Sequence, residues 1–433
     1  MQTSVVIPVW NGVLFLPTCL DSLLAQSPAQ VGDTLEVIVV DNASNDHSAQ
    51  WVAQHYPQVR LIRNLQNQGF AGGCNRGIEA ARGDLIVLLN QDTQVQQGWL
   101  ATLAHAASDP ASGVVGCKIL YPDGQTIQHA GGWIDWPLGL SHHHGQGEVD
   151  QGQWNQSRPV EFVTGAALAV RRDVLDKVGL LDEAFWPGYF EDADFCLRVK
   201  AAGYQVAYCA DAVILHQETS SWRDKQAVAE AYQRGRLRFI LKQTPPQRFV
   251  TEFVPAEKQY QPAAIRGQAS AALQTAYATI MTTVPSIIAT CWPDEIRTIP
   301  EVIQGIQALY QNAWREEQAK LAEMTAGVMA GWPRTSPPLS VGHAFAPNLT
   351  DLTFHSNLPA VGPLLTLCRR FAYTIAARWG IQHLRQQQEV INQHQALQLE
   401  ALRRQVDSLT SQNGMLARQL AQLQQEIILI RDH

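Results

Sequence analysis

The sequence predicts an α/β fold: a mostly parallel sheet in the first half of the chain, then a helical region and a C-terminal coiled coil. Three observations point there. Short apolar runs alternate with helix-period segments from residue 4 to residue 90. Pro245 and Pro246 interrupt the pattern that follows. Leucine and isoleucine then recur on a seven-residue repeat from Leu399 to Ile430.

The elements follow in order. Ser4–Val9 is an apolar run of buried-strand type, and residues 12–26 read as a helix. Leu35–Asp41 is a second strand, and Asn42–Asp46 is a turn that supplies capping residues to the next helix. Val59–Asn64 is a third strand, Gly69–Arg82 a glycine-opened helix and Asp84–Asn90 a fourth strand. Such alternation implies right-handed crossovers, with ligands beyond the carboxyl ends of the strands. Asn11, Asp41, Asn64 to Gly69 and Asn90 to Asp92 end these strands, so they should line one crevice. Further on, Val160–Val170 reads as a strand, Asp192–Ala202 as a helix, Gln205–Cys209 and Ala212–His216 as strands, and Trp222–Lys242 as a basic helix.

Three regions result. Residues 1–245 form the α/β domain, residues 246–360 a partly helical linker region rich in Pro, Gln, Ala and Thr, and residues 361–433 an amphipathic helix and the coiled coil. The basic amphipathic segment 364–380 either packs on the first domain, the favoured reading, or lies on a membrane surface. In the heptads, nine of the ten a and d positions are apolar and the tenth is Asn413. Leu at d with a buried Asn at a favours a parallel two-stranded coil, because paired Asn side chains satisfy each other in that register. A parallel homodimer is expected; a single helix docked on its own chain would need a wider apolar stripe.

Bulk properties exclude some classes. The net charge of −7 advertises no nucleic acid or anionic lipid partner. The seven cysteines are an odd number without metal-ligand spacing, which reads as reduced thiols in a cytoplasmic protein. No signal peptide and no transmembrane segment are expected. Attachment at the inner membrane face is the peripheral alternative for segment 364–380.

The chemistry concentrates at Phe190-Glu191-Asp192-Ala193-Asp194-Phe195, where three carboxylates lie among aromatic neighbours. An acidic helix start is the bland reading, since carboxylates favour that end of the dipole. A second acidic site at Asp92, together with His216, argues for more. His142-His143-His144 has no partner at ligand spacing and is read as non-functional. Trp133, Trp136, Trp154 and Trp186 stack on sugar rings or belong to the core.

Four N-terminal stretches, Ser4–Asn11, Val39–Asp46, Asn67–Gly77 and Leu88–Thr93, resemble in order and spacing the family 2 glycosyltransferases of GT-A fold. Within these the chain resembles the rhamnosyltransferase-like branch. Gly165–Arg172, Val178–Glu183 and Glu191–Asp194 continue the match, which covers about residues 3–242. The resemblance implies inverting transfer of a sugar, rhamnose for that branch, from a nucleotide-diphosphate donor to a glycan or lipid-linked acceptor in surface polysaccharide synthesis. It implies a dTDP- or UDP-linked donor and Mg²⁺ or Mn²⁺ as cofactor. Asp192 matches the catalytic carboxylate, with Glu191 and Asp194 tuning it or contacting the acceptor. Asp92 and His216 are the metal candidates, and Asn90 stands where relatives commonly carry a first Asp. Asp41 would accept the imide N–H of the base, Pro8 and Asn11 would border base and ribose, and Asn67 and Gly69 would approach the donor. Arg234 either binds the diphosphate or decorates a solvated helix; Gly235 replaces the Asn that often follows it in relatives. The rival reading is a coiled-coil scaffold carrying a degenerate transferase domain.

Overall fold

The computed structural model describes residues 2–26, 35–217, 225–266 and 270–330. The heptad segment, residues 361–433, and the C-terminal part of the expected linker region lie outside these residues.

The apolar runs become strands buried on both faces, as in sheets sandwiched between helices. β1 (Thr3–Val9), β2 (Leu35–Asp41), β3 (Arg60–Arg63) and β4 (Leu85–Leu89) are parallel, with β1 between β4 and β2. Beyond β4 the sheet turns mixed. After the short β5 (Thr93–Val95) come β6 (Ser112–Leu120) and β7 (Ile127–His129), a separate hairpin of β8 (Gly132–Asp135) and β9 (Leu140–His143), then β10 (Arg158–Pro159), β11 (Ala167–Arg171) and β12 (Gln205–His216). The order is β10-β12-β6-β11-β4-β1-β2-β3, and β11 runs antiparallel to both β4 and β6. Two expectations shift. The long strand at 160–170 narrows to Ala167–Arg171, and the two strands near 205–216 are one, β12, whose register against β6 shifts between Cys209 and Val213.

Alternate strand residues feed two cores. Val6, Ile38, Val40, Ile86 and Leu88 pack with the helix Gly69–Ala80 through Ala71, Cys74 and Ile78. Val5, Ile7, Val39, Val87 and Leu89 pack with helices Leu16–Leu24 and Trp99–Ala107 through Leu20, Leu23 and the fully buried Trp99. In chain order the described helices are α1 (Leu16–Leu24), α2 (Ser48–His55), α3 (Gly69–Ala80), α4 (Trp99–Ala107), α5 (Arg172–Val178), α6 (Glu191–Ala201), α7 (Lys225–Gln243), α8 (Val254–Arg266), α9 (Ser270–Cys291) and α10 (Ile299–Ala330).

The expected linker at 246–360 is corrected for its described part. Pro245 and Pro246 open a helical turn, and α8, α9 and α10 pack into the same core as α7. The stripe Leu273, Ala276, Tyr277, Ile280, Val284, Ile287, Ile288 on α9 is amphipathic, but Thr and Pro285 dilute its sequence signal. A buried ion pair fastens this layer: Arg236 donates to both Glu257 oxygens, at 2.8 and 2.5 Å, and Tyr277 donates to Glu257 at 2.6 Å. Much of the basic face of α7 is likewise spent inside the fold, since Arg238 and Lys242 both donate to Asp182 at 2.7 Å.

The middle of α7 lies against the segment that precedes α6. A Cβ at Gly235 would come within 2.6 Å of the Tyr189 carbonyl oxygen. Gly235→Ala is therefore expected to destabilise the fold by about 1–3 kcal/mol, the usual range for overpacking. An unchanged melting temperature would contradict this packing.

Candidate active site

Two features of the backbone place the site. β1 is the switch point of the parallel part of the sheet, where the chain order reverses, so a crevice opens beyond its carboxyl end. Tyr189 and Phe190, just before α6, hold positive φ angles of 77° and 73°. Consecutive non-glycine residues in the left-handed region are costly and concentrate at functional sites. The turn aims Glu191 and Asp192 into a cleft of about 540 Å³.

The cleft brings together Pro8, Asn67, Gly69, Asn90, Asp92, Glu191, Asp192 and His216, residues from five separate parts of the chain. Asp192 is fixed by two backbone donors: Gly165 N–H reaches Oδ2 at 2.9 Å and Ala193 N–H reaches Oδ1 at 2.7 Å. Each oxygen keeps a lone-pair site for a ligand hydroxyl. Glu191 beside it is 5% exposed, and its Oε2 has no hydrogen-bond partner. Burial, then the charge of Asp192, pushes Glu191 well above the usual carboxylate range.

That shift has a sign. A carboxyl raised in the folded state costs nothing below its ordinary value of 4.5, where folded and unfolded chains both carry the proton. Its penalty grows as pH rises through the folded value. Glu191→Gln should therefore raise the melting temperature at pH 8 more than at pH 5. Equal melting temperatures at both pH values would refute the assignment.

The same cleft holds the metal candidates. His216 Nε2 lies 3.3 Å from Asp92 Oδ1 and 3.3 Å from Asn90 Nδ2. His216 Nδ1 is 2.7 Å from Gln128 Oε1, an acceptor only, so Nδ1 carries the proton and Nε2 presents its lone pair. This is the arrangement that fixes a ligating imidazole. Among the described residues no cluster of three or more His, Cys, Asp or Glu could hold a metal ion alone. One carboxylate and one imidazole suit a cation whose remaining ligands are diphosphate oxygens and water. Gln91, the middle residue of Asn90-Gln91-Asp92, clamps the end of β1 instead: its side chain accepts from Trp10 N–H at 3.0 Å and donates to Trp10 C=O at 3.2 Å.

Four expected site residues fall outside the cleft lining. Asp194 is fully buried and takes donors from Arg198, Lys242 and Gln243, each at 2.9 Å. On α6 it is Asp192, one residue from Glu191, that shares the cleft, not Asp194. Asn11 braces loops, receiving Asn45 N–H at 2.9 Å, while its own N–H donates to Ser44. Asp41 is buried at the end of β2 with Oδ1 unpartnered. Arg234 donates to the Trp186 carbonyl and lies 5.8 Å from that ring, which ties it to the turn before α6.

Other cleft residues were not singled out from the sequence. Asn42 donates to Gly69 C=O at 2.8 Å and accepts from Gln68 N–H at 3.1 Å, so it ties the start of α3 to the end of β2. Gln128 carries no motif signal. His143, set aside with its neighbours, does line the cleft.

Residues 4–179 match the model of glycosyl transferase family 2. The chain is 31% identical over 227 residues to the uncharacterised protein y4gI of Sinorhizobium fredii, covering 50% of this chain and 24% of that one. It is 30% identical over 239 residues to the O-antigen biosynthesis protein RfbC of Myxococcus xanthus, covering 53% of this chain and 18% of that one. The chain thus spans no more than about a quarter of the length of these two relatives. It is also 28% identical over 250 residues to an N-acetylglucosaminyl-diphospho-decaprenol L-rhamnosyltransferase of Mycobacterium tuberculosis, covering 51% of this chain and 79% of that one. Residues 4–179 thus carry a domain similar to glycosyl transferase family 2.

Proposed function

We propose that this chain is an inverting, metal-dependent glycosyltransferase. It moves a sugar from a dTDP- or UDP-linked donor to a hydroxyl group of a glycan or lipid-linked acceptor in surface polysaccharide synthesis. The observation that carries this reading is the pairing, in one cleft, of Asp192 on its two amides with the Asp92–His216–Gln128 set. Relatives named for O-antigen biosynthesis and rhamnosyl transfer support polysaccharide synthesis and make rhamnose the first sugar to test.

The residues divide the work. Asp192 accepts the proton of the acceptor hydroxyl as its oxygen attacks the anomeric carbon. The bond from that carbon to the diphosphate breaks, and the diphosphate leaves with the electron pair on the opposite face, which inverts the centre. Asp92 and His216 would hold Mg²⁺ or Mn²⁺, which neutralises the charge growing on the diphosphate. Gln128 keeps the His216 ring oriented. The unpartnered Asp41 Oδ1 is an acceptor suited to a pyrimidine imide N–H, with Pro8 at the cleft wall beside it.

NMR of dTDP-rhamnose and UDP-sugars incubated with the protein and Mn²⁺ tests this. Released or transferred sugar should first appear with inverted anomeric configuration, and chelation should stop the reaction. Retained configuration would overturn the mechanism. No turnover of any nucleotide sugar would favour the scaffold reading.

A further inference from the structure

The cleft has a third wall that neither the donor residues nor the metal candidates use. β7 and β9 build it, with α7 alongside: His129, Ser141, His143 and Tyr232 all face the cleft. Ser141 and His143 are two residues apart on β9, so they share one face of the strand. Ser141 Oγ lies 3.4 Å from Tyr232 Oη, a pair of hydroxyls in which either can donate.

The histidines make the wall specific. His129 Nδ1 and His143 Nδ1 are 2.7 Å apart, so one donates and the other accepts. Phe162 backs both rings, at centroid distances of 6.0 and 5.6 Å. His129 is 1% exposed, and its Nε2 has no hydrogen-bond partner. A buried polar nitrogen left unpaired costs about 1–3 kcal/mol, which a ligand can relieve.

The chemistry of that ligand can be narrowed. If His129 accepts at Nδ1, its Nε2 donates; if it donates at Nδ1, its Nε2 accepts. A hydroxyl group satisfies either tautomer. Burial, reinforced by the neighbouring His143 and His144, holds His129 well below the usual imidazole range, so it offers no cation to a phosphate or carboxylate. The Asp192 carboxylate in the same cleft also disfavours an anion there.

We propose that His129 and His143, with the Ser141–Tyr232 hydroxyl pair, form the subsite that anchors a neutral, hydroxyl-bearing sugar of the acceptor, with His129 Nε2 bonded to one of its hydroxyls. This rests on the transferase reading above, and it names the acceptor group as an uncharged sugar ring rather than a phosphate.

Saturation-transfer NMR tests it on the full chain with dTDP or UDP and Mn²⁺ present. The probes are the methyl glycosides of glucose, galactose, mannose, rhamnose and N-acetylglucosamine, with glucose 6-phosphate as the anionic control. At least one neutral glycoside should bind, and glucose 6-phosphate should not compete with it. His129→Phe should weaken that glycoside at least fivefold while the nucleotide dissociation constant stays within twofold. Tyr232→Phe removes a single hydroxyl at a half-buried site and should weaken it at least twofold, which covers misfolding of the first variant. Undiminished glycoside binding in both variants would overturn the subsite, as would binding of glucose 6-phosphate alone or of no probe. Failure of the parent protein to bind any nucleotide would instead overturn the transferase reading.

Discussion

Asp192→Asn is expected to lower sugar transfer by at least about 100-fold, within the usual range for loss of a general base. The two amides that hold the carboxylate, from Gly165 and Ala193, are satisfied by its two oxygens. An asparagine keeps one acceptor oxygen and turns the other position into a donor, so one amide loses its partner as well. Asp192 is assigned to the acceptor proton and not to the nucleotide, so nucleotide affinity should move by less than about threefold. A variant that keeps more than a tenth of parental activity would remove Asp192 from the base role. Glu191 would then be the next carboxylate to test, since it lines the same cleft.

The second large effect concerns the cation. Asp92→Asn and His216→Ala should each raise the Mn²⁺ concentration needed for half-maximal activity by more than about 100-fold. Gln128→Leu should raise it by about 10–100-fold, the range for an outer partner that orients a ligating imidazole. The graded order is the informative part. Gln128 would touch no metal; it acts on the cation site through the 2.7 Å contact with His216 Nδ1. Its variant should therefore shift the metal titration while leaving the rate at saturating Mn²⁺ within about threefold. If Gln128→Leu behaves like the parent while His216→Ala fails, His216 works by some other means than ligation.

Much of the fold was legible because its signals are local. β1, β2 and β4 are mainly apolar runs followed by turn residues, so period and turn chemistry locate them, whereas β3 is only the short Arg60–Arg63. Asp92, Asp192 and His216 were legible from their motifs. Asp194 misled because equal spacing on a helix says which residues share a side, not which side meets the cleft. The left-handed turn at Tyr189 and Phe190 decides that, and nothing in two aromatic residues announces a positive φ. Arg236 and Glu257, and Arg238 and Lys242 with Asp182, show the same limit: the basic helix looked like a solvated or ligand-binding face, yet much of its charge is paired inside the fold. The helical layer after Pro246 was missed because its amphipathic stripe is thinned by Thr, Gln and Pro. Gln128, His129 and His143 reach the site only through the pairing of β7 with β6 and of β9 with β8, which is long-range information.

The measurement that tests the account most directly is thermal unfolding with UDP, dTDP, GDP and CDP, each with and without Mn²⁺, on the parent and on His216→Ala. A nucleotide at 100 times its dissociation constant stabilises by about 2.7 kcal/mol. The account predicts a Mn²⁺-dependent rise in melting temperature with dTDP or UDP that His216→Ala abolishes. No rise with any nucleotide, or a rise that persists without Mn²⁺ and in the variant, would contradict it.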